Sequence, residues 1–253
     1  MLLKAFLIAL STYSVVPVPQ FEWNEKNMKY SICFFPAVGL LCGGALALWC
    51  AFCLKFAAGN ILFAAVASCV GLLISGGIHM DGFMDTVDAL ASHQSRERKL
   101  EILKDSNCGA FAVIYCALYM LISFGVFSEL YERELIFALC PVYVLSRSLS
   151  GLGALNIPSA RRSGMLGAYT QNTKRVRGSI ALGAWLLLAV VAMLMINIAG
   201  LVPIAAALVW LAYYYKMVMK QFGGVTGDTA GFFLQLCELF CAFALLIGGL
   251  LWR

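Results

Sequence analysis

The chain has 253 residues, 62% of them hydrophobic and only 12% charged, with a net charge of +5 and a mean hydropathy of +0.88. So apolar a composition lies outside the range of soluble globular domains. It points to an all-α fold, a polytopic integral membrane helical bundle.

The opening stretch LLKAFLIALSTYSVV is stopped by Pro17 and Pro19 and has no small-residue cleavage signal. It is short for an ordinary span, so a re-entrant or interfacial helix is expected there, with a genuine span as the alternative. A bilayer core takes about 20 apolar residues per helix. Uncharged runs then mark spans over 30–54, 56–78, 108–128, 134–156 with Arg147 inside it, two within 178–215, and 231–252 with Glu238 inside it. About seven transmembrane helices follow, forming a single membrane-embedded domain over 1–253.

Lys and Arg accumulate in short cytoplasmic loops. With alternating spans, one side receives most of them, among them Lys4, Lys29, Arg96, Lys99, Lys104, Arg161, Arg162, Lys174 and Lys220. The other side receives Lys55, Arg133 and Arg253. The first side is therefore expected to face the cytoplasm. Every aspartate of the chain, namely Asp81, Asp85, Asp88, Asp105 and Asp228, lies in or beside a loop on that side.

Three of them sit in GGIHMDGFMDTVDAL, residues 76–90. If residues 82–90 are helical, Asp81 heads the helix and Asp85 and Asp88 share its stripe, with His79 just before them. Like charges so spaced repel by roughly 0.2–0.5 kcal/mol per pair. A divalent cation removes that repulsion, and hard oxygen ligands suit Mg²⁺ or Mn²⁺. The bland alternative is an acidic helix start with solvated side chains. His79 alone is more often a hydrogen-bonding residue than a ligand.

A second polar island, GGVTGDTAG at 223–231, precedes the last span. Its glycines let backbone approach a phosphate, and the following helix N-terminus attracts anions. Thr226, Gly227 and Asp228 are therefore substrate-binding candidates, against the simpler reading of a helix cap and a turn. In a third island, Lys104 could neutralise phosphate and Asp105 could bind metal or substrate, or both could cap the following span.

HMDGFMDTVDAL, ILKDSNCGAF, ARRSGMLGA and GGVTGDTAGFFLQLCE, in this order and separated by spans, resemble the cobalamin synthase family, the adenosylcobinamide-GDP ribazoletransferases. The resemblance runs over nearly the whole chain, PVP at 17–19 included. It implies a late step of cobalamin assembly in which adenosylcobinamide-GDP and α-ribazole, or its 5′-phosphate, are joined with release of GMP and a requirement for Mg²⁺. Asp81, Asp85 and Asp88 would then be metal ligands or, for one of them, the base, with His79 beside them. Asp228 would be a further ligand, and Lys104, Asp105, Arg161 and Arg162 would contact substrate. The implied setting is multi-pass in the cell inner membrane, the active site toward the cytoplasm. The lipid bilayer is a partner and nucleic acid is not, and a homo-oligomer is compatible with the sequence.

Two other functions fit less well. A phosphotransferase of the CDP-alcohol type also clusters membrane aspartates, but its motif continues from Asp-Gly to Ala-Arg, whereas Asp81-Gly82 leads here to Asp85-Thr86. A transporter would place its ionisable groups at mid-membrane, whereas here the acidic cluster lies at the cytoplasmic boundary. Arg147 and Glu238 fall within spans, and such expensive charges should face the bundle interior and have partners, either each other or a substrate cavity. The Cys50/Cys53 pair lies in the apolar run WCAFC without further ligands, so its thiols read as small hydrophobes.

Overall fold

With no water in a bilayer core to satisfy backbone groups, an apolar chain of this kind closes its own hydrogen bonds as helices. The computed structural model describes residues 2–19, 21, 24–132, 135–161, 165–171 and 173–251. Its helices are α1 (Leu2–Tyr13), α2 (Glu25–Met28), α3 (Phe35–Lys55), α4 (Asn60–Ala67), α5 (Val70–Ser75), α6 (Ile78–Ala91) and α7 (Arg96–Ile102). They continue with α8 (Ala110–Glu132), α9 (Ile136–Leu139), α10 (Val142–Asn156), α11 (Met165–Gln171), α12 (Arg175–Ile196), α13 (Leu201–Gln221) and α14 (Gly227–Leu251).

Among the described residues, six helical stretches are long and apolar enough to cross a membrane: 31–55, 110–131, 136–156, 175–196, 198–221 and 227–250. The pair 60–75 and 78–91 makes a seventh only if taken as one bent span. After α4 and α5 the chain reaches Gly76 and Gly77, at φ +65° and +81°, and turns through 95° into α6. Left-handed backbone of this kind is cheap only for glycine and ends a helix. α6 therefore leaves the spanning direction and runs across the end of the bundle. It begins at Ile78 with Gly77 as its cap, so Asp81 lies inside the first turn instead of heading the helix.

α1, at 12 residues, extends only about 18 Å, well short of a bilayer core of about 30 Å. Ala5, Ile8, Ala9 and Leu10 are buried against the bundle while Leu2 and Leu3 are exposed. The Val15 amide donates to the Ile74 carbonyl at 2.9 Å, pinning the segment after α1 to the end of α5.

α10 and α14 are the most enclosed spans. Between them the two charges within the spans pair with each other: Arg147 Nη1 donates to Glu238 Oε1 at 2.6 Å and to the Tyr143 carbonyl at 3.0 Å. The Ser146 hydroxyl donates to the same Glu238 oxygen at 2.9 Å. Arg147 is 1% exposed. The pair ties α10 to α14 and keeps both charges away from lipid.

Candidate active site

α6 is laid directly across the first turns of α14. Gly82 makes this crossing close, since a Cβ there would stand 2.8 Å from Asp228 Cα, and Gly231 of α14 faces the His79 carbonyl equally tightly. Small residues let helix backbones approach in this way. The consequence is chemical: Asp81 and Asp85 on α6 come to the same end as Asp228 on α14.

The Asp228 loop is built by its own threonines. Thr226 N donates to Thr229 Oγ1 at 2.9 Å and Thr229 N to Thr226 Oγ1 at 3.1 Å, a reciprocal cap on α14. Thr226, buried, thus serves the helix start, and its hydroxyl also donates to Asp228 Oδ2 at 3.4 Å. The preceding residues pair with the loop after α10. Val225 N donates to the Pro158 carbonyl at 2.8 Å and Ala160 N to the Val225 carbonyl at 3.0 Å. This pairing delivers Arg161 to the site, with Nη1 3.7 Å from Asp228 Oδ2 and Nη2 donating to the Leu100 carbonyl at 2.6 Å.

α7 closes the same end. The Arg96 Nε donates to the Phe222 carbonyl at 2.7 Å and the Lys99 ammonium to Gln221 Oε1 at 2.5 Å, so two of its cations are spent on holding α7 to the end of α13. All three polar islands of the sequence therefore meet at one end of the bundle.

The acidic residues are not equivalent. Asp88 accepts from Gly109 N at 2.6 Å and from Ala112 N at 2.9 Å, so both carboxylate oxygens cap the start of α8. Asp85, half-buried, has its pKa pushed up to about 7, first by burial and then by Asp81, Asp228 and Asp88, with Arg161 pulling the other way. Asp81 is exposed. Asp105 and Lys104 stand exposed on the turn between α7 and α8. Asp105 accepts from Asn107 N at 3.0 Å and Asn107 Nδ2 at 2.7 Å, bonds that hold its carboxyl below the usual range. Arg162 lies outside the described residues. Among the described residues, no three His, Cys, Asp or Glu side chains form a closed metal cage.

Beside the carboxylates lies a cavity of about 190 Å³. Asp81, Asp228, Gly227 and His79 line it, together with Tyr13 of α1 and Phe35 of α3, two aromatic residues that the sequence reading did not single out. No motif marks them, because they are apolar residues in apolar runs and only the packing of α1 against α3 and α6 brings them here. His79 is buried, with Nε2 unpartnered, and its ring stacks on Tyr13 at 6.0 Å and stands edge-on to Phe35 at 5.4 Å.

The fold and the site together define a multi-pass helical membrane protein with a carboxylate and guanidinium centre at one end, beside an aromatic cavity. Residues 5–246 match the family model described as cobalamin-5-phosphate synthase. The chain is 41% identical over 247 residues to the adenosylcobinamide-GDP ribazoletransferase of Lachnoclostridium phytofermentans, covering 97% of this chain and 94% of the relative. It is 33% identical over 236 residues to that of Clostridium perfringens strain SM101, covering 93% and 94%. It is 29% identical over 273 residues to that of Fusobacterium nucleatum, covering 97% and 98%. No solved structure is significantly similar. The chain belongs to the cobalamin-5-phosphate synthase family.

Proposed function

We propose that this protein transfers the adenosylcobinamide-phosphate moiety of adenosylcobinamide-GDP to α-ribazole or its 5′-phosphate, releasing GMP. The observation that carries the reading is the meeting of Asp81, Asp85 and Asp228 with Arg161 beside one cavity. Relatives bearing that name match over nearly their whole length. The reaction attacks a diphosphate, so the site must gather negative charge, bind GMP as it leaves and take one proton.

The residues divide accordingly. Arg161 faces Asp228 with one guanidinium nitrogen and keeps a planar, permanently charged group for phosphate oxygens. A ribose hydroxyl of the acceptor forms the new O–P bond in line with the departing phosphate of GMP, which keeps the electron pair of the broken P–O bond. The hydroxyl proton passes to a carboxylate, and Asp85 suits that task because its pKa lies near neutrality. The close crossing of α6 and α14 holds the carboxylates of the two helices together.

Mg²⁺ fits the donor set. Several carboxylates crowd together at a mutual electrostatic cost that a cation would relieve, and hard oxygen donors suit an ion that takes one or two carboxylates plus water and substrate phosphate. Asp81 and Asp228, the two that line the cavity, would hold it. When bound, it would neutralise the diphosphate and the departing GMP. The site would face the cytoplasm, as the Lys and Arg asymmetry requires.

The test is direct. Purified protein in detergent, given adenosylcobinamide-GDP, α-ribazole and Mg²⁺, should release GMP in step with formation of adenosylcobalamin. GMP release that is independent of α-ribazole would indicate a hydrolase instead.

A further inference from the structure

We infer that the cavity bounded by Tyr13, Phe35 and His79 is the subsite for the planar aromatic base of the acceptor nucleoside, with its sugar directed to Asp81 and Asp228. The inference rests on the transferase reading and adds which substrate sits where. Size comes first. An engineered cavity of about 150 Å³ takes a benzene molecule. At about 190 Å³ this one suits a fused two-ring base.

The walls decide between the two bases present in the reaction. Tyr13 and Phe35 lie with ring centroids 4.4 Å apart, and His79 joins them, so three rings from three helices form one aromatic wall. Ile32, Ala154 and Leu166 supply further apolar surface. Guanine carries a carbonyl, an amide N–H and an amino group on its edge, each of which needs a bonding partner when buried, and the side chains of Ile32, Phe35, Ala154 and Leu166 on the apolar side of the cavity offer none. The benzimidazole of ribazole has no such groups and keeps two flat apolar faces for stacking. The polar part of the lining comprises the Tyr13 and Ser150 hydroxyls, the His79 imidazole and the carboxylates of Asp81 and Asp228, and the two carboxylates lie where the sugar hydroxyls must reach the phosphate chemistry. A base seated here therefore places its own ribose beside the carboxylates.

The experiment narrows the cavity without touching the carboxylates. Leu166→Phe and Ala154→Val should raise the KM for α-ribazole by about tenfold while leaving the KM for adenosylcobinamide-GDP within about twofold. Tyr13→Leu should act in the same direction by removing a stacking face. Thermal melting in detergent identifies any variant that fails to fold, and Leu166→Ala, which enlarges the cavity, then serves as the second probe. It should admit acceptors with bulkier substituents on the benzimidazole that the parent rejects. Independently, the fluorescence of α-ribazole alone should change on binding the parent protein, and Leu166→Phe should weaken that binding. If the narrowed variants raise the KM for the GDP substrate instead, or leave both KM values unchanged, the assignment is overturned. Absence of GMP release from the parent would sink the transferase reading, while the fluorescence titration would still decide whether the cavity takes the benzimidazole.

Discussion

Arg161 reaches Asp228 with Nη1 at 3.7 Å while its Nη2 holds the Leu100 carbonyl at 2.6 Å, so one guanidinium joins the loop after α10 to α7 and to the head of α14. The longer of these contacts is the one a phosphate can compete for. Arg161→Met should raise the KM for adenosylcobinamide-GDP about ten- to hundredfold, the size of a lost charge-assisted hydrogen bond. Arg161→Lys should recover little of this, because an ammonium cannot bridge two loops and a phosphate with a planar fork. Steady-state kinetics with each substrate varied would check both, and an unchanged donor KM would remove Arg161 from the phosphate site.

Arg147 and Glu238 are expected to act through structure. Removing one partner leaves the other as an uncompensated charge in the bundle, a loss of about 3–5 kcal/mol. Arg147→Met and Glu238→Gln should each lower the melting temperature in detergent, and the double variant should be more stable than the sum of the two losses implies. A single variant that melts like the parent yet has no activity would instead place that residue in the reaction.

Asp85 gives the metal-free protein a pH dependence of definite sign. Its pKa is about 7 in the fold against an ordinary 3.8. A carboxyl with a raised folded pKa contributes stability at low pH and loses it as pH rises through the folded value. Metal-free protein should therefore melt lower near pH 8 than near pH 6, and the stabilisation by added Mg²⁺ should be larger at the higher pH, where the carboxylates no longer hold a competing proton. Asp85→Asn should flatten the metal-free profile. Melting curves across that range decide it, and a profile unaffected by the substitution would show that Asp85 is not the titrating group.

The spans were legible because the bilayer imposes length and polarity on sequence directly, and that Arg147 and Glu238 would be enclosed with partners followed from the cost of leaving either alone, although their choice of each other did not. The bend at Gly76-Gly77 was not. An apolar run reads as continuous through two glycines, and only their left-handed backbone turns it. The carboxylates were visible as a stripe, yet spacing alone could not separate Asp88, which caps α8, from Asp81, which lines the cavity. Lys104 and Asp105 lie at the same end but stand exposed on their turn and do not line the cavity, since sequence order places a loop without fixing which way it faces. Tyr13 and Phe35 carried no signal at all, because stacking partners drawn from distant helices share no local pattern.

The division of labour among the aspartates can be sorted by substitutions that keep shape and remove charge. Asp88→Asn retains one oxygen for the two α8 amides, so it should lose about 0.5–2 kcal/mol of stability, the usual value of a cap, together with some activity. Asp81→Asn and Asp228→Asn should leave melting nearly unchanged and, on the proposed metal site, move the Mg²⁺ dependence of turnover to higher concentration, since each removes a carboxylate charge that lines the cavity. Asp85→Asn should abolish most turnover at any Mg²⁺ concentration and flatten the acidic limb of the kcat/KM profile, as loss of a base does. With a cation between Asp81 and Asp228, two of the charges that raise Asp85 are neutralised, so that limb should lie below about 7. Turnover titrated against Mg²⁺ and against pH for the four variants separates ligand, base and cap. Should Asp81→Asn and Asp228→Asn keep the parent's Mg²⁺ dependence, neither carboxylate holds the ion and the metal belongs elsewhere.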